Sequence, residues 1–241
     1  MSERRRKFII WTSVPLLVAV VLGTGLGPMS TPLLGNVFAH APSADDYKFR
    51  ETQSDKKTPV TYDPCMPIHV VVNDRTAVKG ADRLVAEAIS EVEKASGLSF
   101  VIDGPTAERP PSGKWFAYTD GYNVLNSPVL LAWSDPKESP NLAGSILGRG
   151  GSASVTRTQR GTKIYTTGIV TLDGPQMKEL LGRRDGWAMA RTVVMHELGH
   201  LVGLGHVKAD GEVMKPGIEV TSWGPGDLAG LRLLGSGPCV G

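Results

Sequence analysis

The chain has 241 residues, of which 41% are hydrophobic and 21% charged, so it is long enough for one sizeable domain of ordinary globular composition. Its 26 basic and 24 acidic residues give a net charge of +2, and four of the bases lie in residues 2–7. The remainder is close to neutral and has no basic patch of the kind that binds nucleic acid, so we exclude that partner.

The N-terminal region carries a targeting signal. Residues 8–44 contain no Asp, Glu, Lys or Arg, and residues 8–27 have the roughly 20-residue length of a transmembrane anchor. The basic segment 1–7 is expected to stay in the cytoplasm, which puts the bulk of the chain outside. A cleavable signal segment is the alternative. Either way we predict an extracytoplasmic protein, membrane-anchored or secreted.

Residues 28–58 are rich in Pro, Ser, Thr, Asp and Lys, which predicts a flexible stalk or pro-segment with little structure of its own. The folded domain is expected over residues 59–241. Its two cysteines, Cys65 and Cys239, should form a disulfide outside the cytoplasm. The alternative is that Cys65 binds a metal and keeps the protein latent.

Hydrophobic periodicity places strands and helices along this domain. Strands are predicted at 68–72, 98–102, 129–133, 152–158 and 163–172. Helices are predicted at 80–96, 186–202 and 226–234, the second of them capped by Asp185. This order predicts an α+β fold, with a mixed twisted sheet and helices packed on it.

Three of the five histidines lie in the stretch HELGHLVGLGH, residues 196–206. His196 and His200 are four residues apart on the predicted helix, so both imidazoles leave the same face at a spacing that suits one Zn²⁺. A helical His206 would point away from this pair. Gly203 can end the helix in a positive-φ conformation and turn the chain back, which would bring His206 to the same ion.

Glu197 lies about 100° round the helix from His196, which suits contact with a water molecule on the metal better than direct ligation. Three protein ligands and one water are typical of catalytic zinc, whereas structural sites have four protein ligands. The pattern therefore predicts a zinc-activated water with Glu197 as general base.

The extended motif resembles the zinc signature of the metzincins, and the following Glu212-Val213-Met214-Lys215-Pro216-Gly217 resembles their Met-turn. Residues 59–241 are similar to a matrixin-type catalytic domain, as in matrix metalloproteinases and their bacterial relatives. The resemblance implies a zincin-like domain with an active-site helix and a C-terminal helix. It also implies that Met214 forms an apolar floor beneath the zinc, although Met214 could simply be a core residue. Asp227 matches the acid that supports the Met-turn, and it could equally cap the last helix.

The chain departs from the animal matrixins in ways that limit the comparison. Only His40 and His69 lie outside the motif, so one catalytic zinc is expected and no second, structural one. Asp-rich calcium loops are not evident, although calcium bound through backbone carbonyls stays open. Ile218 stands where the family has a tyrosine in its specificity pocket, so substrate preference does not carry over. The glycine-rich residues 141–154 indicate a loop and an edge strand near the cleft, where a peptide could pair.

These patterns predict a monomeric zinc endopeptidase that acts on protein or peptide substrates. The alternative is a non-catalytic peptide- or wall-binding module in which zinc only stabilises the fold. Glu197 favours the enzyme, because a binding module has no need of that carboxylate. A hydrolase of cell-wall amide crosslinks would use the same residues and stays open.

Overall fold

The computed structural model describes residues 46–110, 127–156 and 161–240. The predicted anchor or signal segment at 8–27 lies outside these residues, as does the basic segment before it. Within the described part of the chain, no helix combines the length and the apolar character that a membrane crossing needs.

The described residues form one five-stranded sheet. Its strands are β1 (Ile68–Asn73), β2 (Phe100–Pro105), β3 (Val129–Ser134), β4 (Gly148–Thr156) and β5 (Lys163–Asp173). The spatial order is β2-β1-β3-β5-β4; β4 runs antiparallel to β5 and the other three neighbouring pairs are parallel. The predicted mixed sheet is confirmed. Strand β4 begins four residues before the predicted start at 152, so the glycines of 148–151 belong to an edge strand.

Four helices accompany the sheet within the described residues: α1 (Ala81–Ser96), α2 (Gly174–Leu181), α3 (Gly186–Val202) and α4 (Pro225–Gly235). Helices α1, α3 and α4 were predicted to within one residue at either end. Helix α2 was not predicted. It starts directly after β5, where the Asp173 carboxylate accepts a hydrogen bond of 2.9 Å from the Gln176 amide.

The predicted cap of α3 needs a correction. Asp185 precedes the helix, but its side chain accepts no capping hydrogen bond from the described residues. Its backbone, at φ −103° and ψ 23°, does not have the extended conformation that usually aims an N-cap side chain at the first amides. The Gly186 amide donates instead to the Arg183 carbonyl at 3.1 Å.

The core lies mainly between the sheet and its helices. Strand β3 is buried at every position, and its alternate side chains face opposite sides of the sheet. Leu131 packs with the buried faces of α1 and α3, to which Leu84 and Leu198 belong. Leu130 packs with Ile169 in a smaller cluster on the other side. Helix α3 is therefore fixed on the sheet, next to edge strand β4.

The N-terminal part of the folded unit extends further than predicted. Residues 46–58 were assigned to a stalk or pro-segment, but they pair with the body of the domain. The Arg50 amide donates to the Gly203 carbonyl at 2.8 Å, and the Gly205 amide donates to the Lys48 carbonyl at 2.7 Å. Backbone pairing of this kind needs few apolar side chains, so composition alone gave no sign of it. We therefore place the packed region from residue 46 onward rather than from 59.

The predicted disulfide is present: Cys65 is bonded to Cys239, and their Cα atoms are 5.5 Å apart. Asp63 supports both ends, because its carboxylate accepts hydrogen bonds from the Cys65 and Val240 amides. This bond ties the C-terminus to the start of β1. It also excludes the alternative in which Cys65 serves as a metal ligand.

Candidate active site

Helix α3 carries the first two histidines of the motif. Its apolar residues Ala190, Val194, Leu198 and Leu201 are buried against the core. One turn apart on the helix, the rings of His196 and His200 have centroids 4.7 Å from each other.

Gly203 ends α3 and reverses the chain, as expected. Its φ of 126° lies where residues with a side chain are strained. A Cβ atom at this position would also come within 2.9 Å of the Leu234 side chain and 3.2 Å of the Tyr165 ring. Both Gly203 and Leu204 donate their amides to the Gly199 carbonyl, which makes the turn tight. His206 then returns toward the helix.

The three histidines meet through their Nε2 atoms. Nε2 of His206 lies 3.1 Å from Nε2 of His196 and 3.0 Å from Nε2 of His200. Nitrogen ligands at 2.0–2.1 Å in a tetrahedral zinc site would be roughly 3.3 Å apart, so the observed spacing is close to what the ion requires. The group could therefore hold a metal ion.

Backbone carbonyls fix the orientation of two of these rings. Nδ1 of His196 donates to the Val213 carbonyl at 2.7 Å, and Nδ1 of His200 donates to the Leu204 carbonyl at 2.8 Å. Each bond leaves the Nε2 lone pair directed at the centre, which is the usual outer-shell arrangement of metal-binding histidine. Burial lowers the pKa of His196 to about 4 and the pKa of His200 to about 3, so both rings are neutral ligands at neutral pH.

Glu197 is buried against β4, with 6% of its surface exposed. A Cβ atom on Gly148 would lie 2.8 Å from the Glu197 Cγ, and one on Gly150 would lie 2.0 Å from the Glu197 carbonyl oxygen. Glycine at both positions therefore lets the helix approach the strand. Burial raises the pKa of Glu197 to about 8, while a hydrogen bond from the Gly150 backbone and the charge of Arg149 act in the opposite direction. The carboxyl can thus hold or release a proton near neutral pH.

Met214 and Asp227 lie beneath the helix. A Cβ atom on Gly199 would be 2.7 Å from the Met214 sulfur, so Met214 packs against α3 between the turns that carry His196 and His200. Asp227 accepts hydrogen bonds from the Val213 and Met214 amides at 2.5 and 3.3 Å. It also accepts one from Gly224, the N-cap of α4. The geometry therefore provides both contacts that the sequence left as alternatives for this acid.

A cavity of about 220 Å³ adjoins His196 and Glu197. It is bounded by three segments: residues 145–148 before and at the start of β4, Thr192 and Val193 of α3, and residues 216–218 at the end of the Met-turn. Pro216 and Ile218 are therefore wall residues of the cleft.

Sequence reasoning missed the groups that are not side-chain ligands. These are the Val213 and Leu204 carbonyls and the two β4 glycines that face Glu197. The glycine-rich 148–151 stretch was the one signal available, because glycine in a strand often marks close approach of another backbone. Nothing in the sequence marks a carbonyl as a partner of a histidine.

One family profile matches the part of the chain that carries this site. The profile of the matrixin family matches residues 132–227, which is less than half of the chain. No curated protein matches this chain. Among solved structures 71 chains match, one of them being archaemetzincin from Methanopyrus kandleri. That structure has a TM-score of 0.44 and 14% sequence identity, and the alignment covers 68% of this chain and 92% of the other.

The matched segment contains the whole histidine motif, the Met-turn and Asp227. Together with the convergent histidines, this match supports a metzincin-like zinc metallopeptidase. The matrixin profile is the particular family that residues 132–227 resemble.

Proposed function

We propose that this protein is an extracytoplasmic zinc endopeptidase with one catalytic zinc. His196, His200 and His206 are its ligands, and Glu197 is the general base. The observation that carries the proposal is the convergence of the three histidines beside the buried Glu197 carboxyl. Nε2 of His206 lies 3.1 Å from Nε2 of His196 and 3.0 Å from Nε2 of His200. Neutral imidazoles held by backbone carbonyls are the donors that zinc prefers in catalytic sites.

The proposed site assigns a separate role in peptide hydrolysis to each of its residues. Zinc, when bound, polarises the scissile carbonyl and lowers the pKa of a water molecule. Glu197 accepts the proton of the attacking water and then delivers it to the leaving amine. The Gly150 amide holds the Glu197 carboxyl in place. Among the described residues β4 is the last strand of the sheet, and its outer edge offers backbone groups with which an extended peptide could pair beside the cleft.

The proposed location rests on the N-terminal sequence and on the disulfide. A basic segment followed by a charge-free stretch at 8–44 is typical of an exported chain with its bulk outside. A disulfide such as Cys65–Cys239 persists in oxidising compartments. We propose a monomer, membrane-anchored or released, that acts on protein or peptide substrates. Digestion of the catalytic domain by protease added to intact cells would support this location, and protection until lysis would contradict it.

The activity is tested with an unstructured protein such as casein, using the full chain and Glu197→Gln in detergent. We expect both to bind one zinc. The variant should lose roughly a thousandfold in activity, because it lacks the proton acceptor. Chelation should abolish activity of the parent, and zinc should restore it. Glu179→Gln, on the surface of α2, is the matched control and should cleave normally. A parent that binds zinc but cleaves no peptide bond would contradict the peptidase assignment.

A further inference from the structure

Two buried acids face each other below the histidine site. Glu212 is 5% exposed and Asp227 is 1% exposed. The Glu212 carboxylate accepts hydrogen bonds from the Gly226 amide at 2.9 Å and from the Asp227 amide at 2.7 Å. Both donors belong to the first turn of α4, whose N-terminus favours a negative charge. Glu212 therefore caps α4 from a distant part of the chain.

The two acids hold each other's backbone. The carboxylate of Glu212 binds the amides of residues 226 and 227, while the carboxylate of Asp227 binds the amides of residues 213 and 214. These hydrogen bonds form a closed ring that locks the Met-turn to the start of α4. Gly224, the N-cap, has no side chain for the task. A Cβ atom there would lie 2.4 Å from Oε2 of Glu212.

The ring is connected to two of the three histidines. Asp227 accepts from the amides on both sides of Val213, and the Val213 carbonyl accepts from Nδ1 of His196 at 2.7 Å. The Met214 carbonyl accepts a hydrogen bond of 3.2 Å from the amide of Val207, the residue after His206. The backbone of residues 213 and 214 therefore contacts both His196 on α3 and the segment that carries His206.

We propose that Glu212 is a positioning residue for the zinc site, acting through Asp227 and the Met-turn peptides on His196 and His206. This inference rests on the proposed function, since it assigns Glu212 a part in holding the ligands of that zinc. A local capping side chain would stabilise α4 equally well without reaching the Met-turn. Glu212 instead stands at the start of the Met-turn segment, two residues before Met214, so its hydrogen bonds couple the helix start to the turn.

A purely structural cap is the competing explanation, and Asp173 provides the matched control. Asp173 is also fully buried and caps a helix, by accepting from the Gln176 amide, but that helix is α2. Glu212→Ala and Asp173→Ala should both lower thermal stability. Only the first should weaken zinc binding, measured by competition with a chelator of known affinity. Loss of an outer-shell contact costs 10- to 100-fold in metal affinity, and we expect about tenfold for Glu212→Ala.

The visible absorption of the Co²⁺-substituted full chain gives a second readout that is independent of activity. Its d–d bands should shift in Glu212→Ala and stay unchanged in Asp173→Ala. Gly224→Ala keeps both acids and pushes on the Glu212 carboxylate. Gly224→Ala should lower zinc affinity and shift the Co²⁺ spectrum in the same direction as Glu212→Ala, but by smaller amounts. If Glu212→Ala does not fold, Gly224→Ala provides the test of the inference.

Unchanged zinc affinity and an unchanged Co²⁺ spectrum in these variants would overturn the inference, whatever their stability, and would leave Glu212 as a helix cap. Failure of the parent itself to bind zinc would be a different result. It would overturn the proposed function, and the inference with it.

Discussion

Glu197 and the Met214 sulfur both lie against backbone positions that have no side chain. Gly148 and Gly150 of β4 border Glu197, and Gly199 of α3 borders Met214. A single methyl group at any of these positions would enter space that the site already fills. The identity of these glycines is therefore set by what approaches them, even though they contribute no chemical group of their own.

Gly148→Ala should separate catalysis from metal binding. The new Cβ would lie 2.8 Å from the Glu197 Cγ and 3.1 Å from the Leu172 side chain, so the Glu197 side chain must shift, and no histidine is among the three nearest atoms. We expect kcat on casein to fall at least tenfold with zinc content unchanged, because a misplaced base transfers protons poorly. Ser154→Ala, further along the same strand, is the control and should keep kcat. An active Gly148→Ala would mean that Glu197 does not need its present position.

At the scale of elements, two helices end in glycine for different reasons. Gly97 ends α1 at φ 81° and ψ 0°, the ordinary left-handed conformation, and a Cβ there would meet no atom of the described residues within 4 Å. Gly203 ends α3 at φ 126°, and a Cβ there would meet Leu234 and Tyr165. The first position disfavours a side chain modestly, whereas the second excludes it.

The pair Gly97→Ala and Gly203→Ala tests this difference. For Gly97→Ala we expect a loss of about 1 kcal/mol in the free energy of unfolding, the cost of one left-handed alanine. For Gly203→Ala we expect about 3 kcal/mol or more, because strain and overpacking add. Zinc affinity should fall only in Gly203→Ala, since that turn directs His206. Urea denaturation with a chelator titration measures both, and equal losses would argue against the special role of the turn.

The contact between α4 and the Met-turn should give stability a pH dependence. Burial, with a contribution from the Glu212 charge, raises the pKa of Asp227 to about 7 from an ordinary value of 3.8. The folded state therefore favours the protonated acid. The stability linked to this group is full below about pH 3.8 and is lost as pH rises through about 7.

Comparison of the metal-free parent with Asp227→Asn isolates this effect. The variant cannot titrate at this position, so the stability of the parent should decline relative to the variant between pH 4 and 8. Urea denaturation at a series of pH values measures the difference. A difference independent of pH would show that the pKa of Asp227 is not raised.

The elements that the sequence predicted are those whose signals are local. The α3 histidines, their spacing and the glycine that follows them lie within eleven residues, so their convergence could be inferred from helix geometry. Helix α2 has eight residues and only two buried large apolar side chains, Met177 and Leu180, which gave too weak a periodicity. Glu212 binds amides fourteen and fifteen residues away, and no sequence pattern announces such a partner.

At the scale of the whole molecule, one disulfide links the segment just before β1 to the C-terminal residues. Cys65 and Cys239 are 174 residues apart in sequence. Closing a loop of this length stabilises the folded state by about 5 kcal/mol if the effect is entropic. The bond lies between the segment before β1 and the C-terminus, while the proposed zinc ligands lie on α3 and after the turn that follows it.

Cys65→Ser with Cys239→Ser should therefore reduce stability without changing the site. We expect the free energy of unfolding to fall by about 4–5 kcal/mol, with zinc affinity within about twofold of the parent. Denaturation of the double variant and of the parent, under non-reducing conditions, measures the first quantity, and chelator competition measures the second. Lost zinc affinity in a folded double variant would mean that the bond also orders the ligands.

The pairing of Lys48 and Arg50 with the turn before His206 sets a limit on maturation of this enzyme. If the chain is released from the membrane by cleavage, a cut before Tyr47 leaves a free end that still holds the turn. A cut after Glu51 removes both hydrogen bonds and the residues that lie against α4. The position of the cut would then decide the outcome of release. Cleavage before the packed N-terminal residues yields a working peptidase, whereas cleavage after them ends its activity.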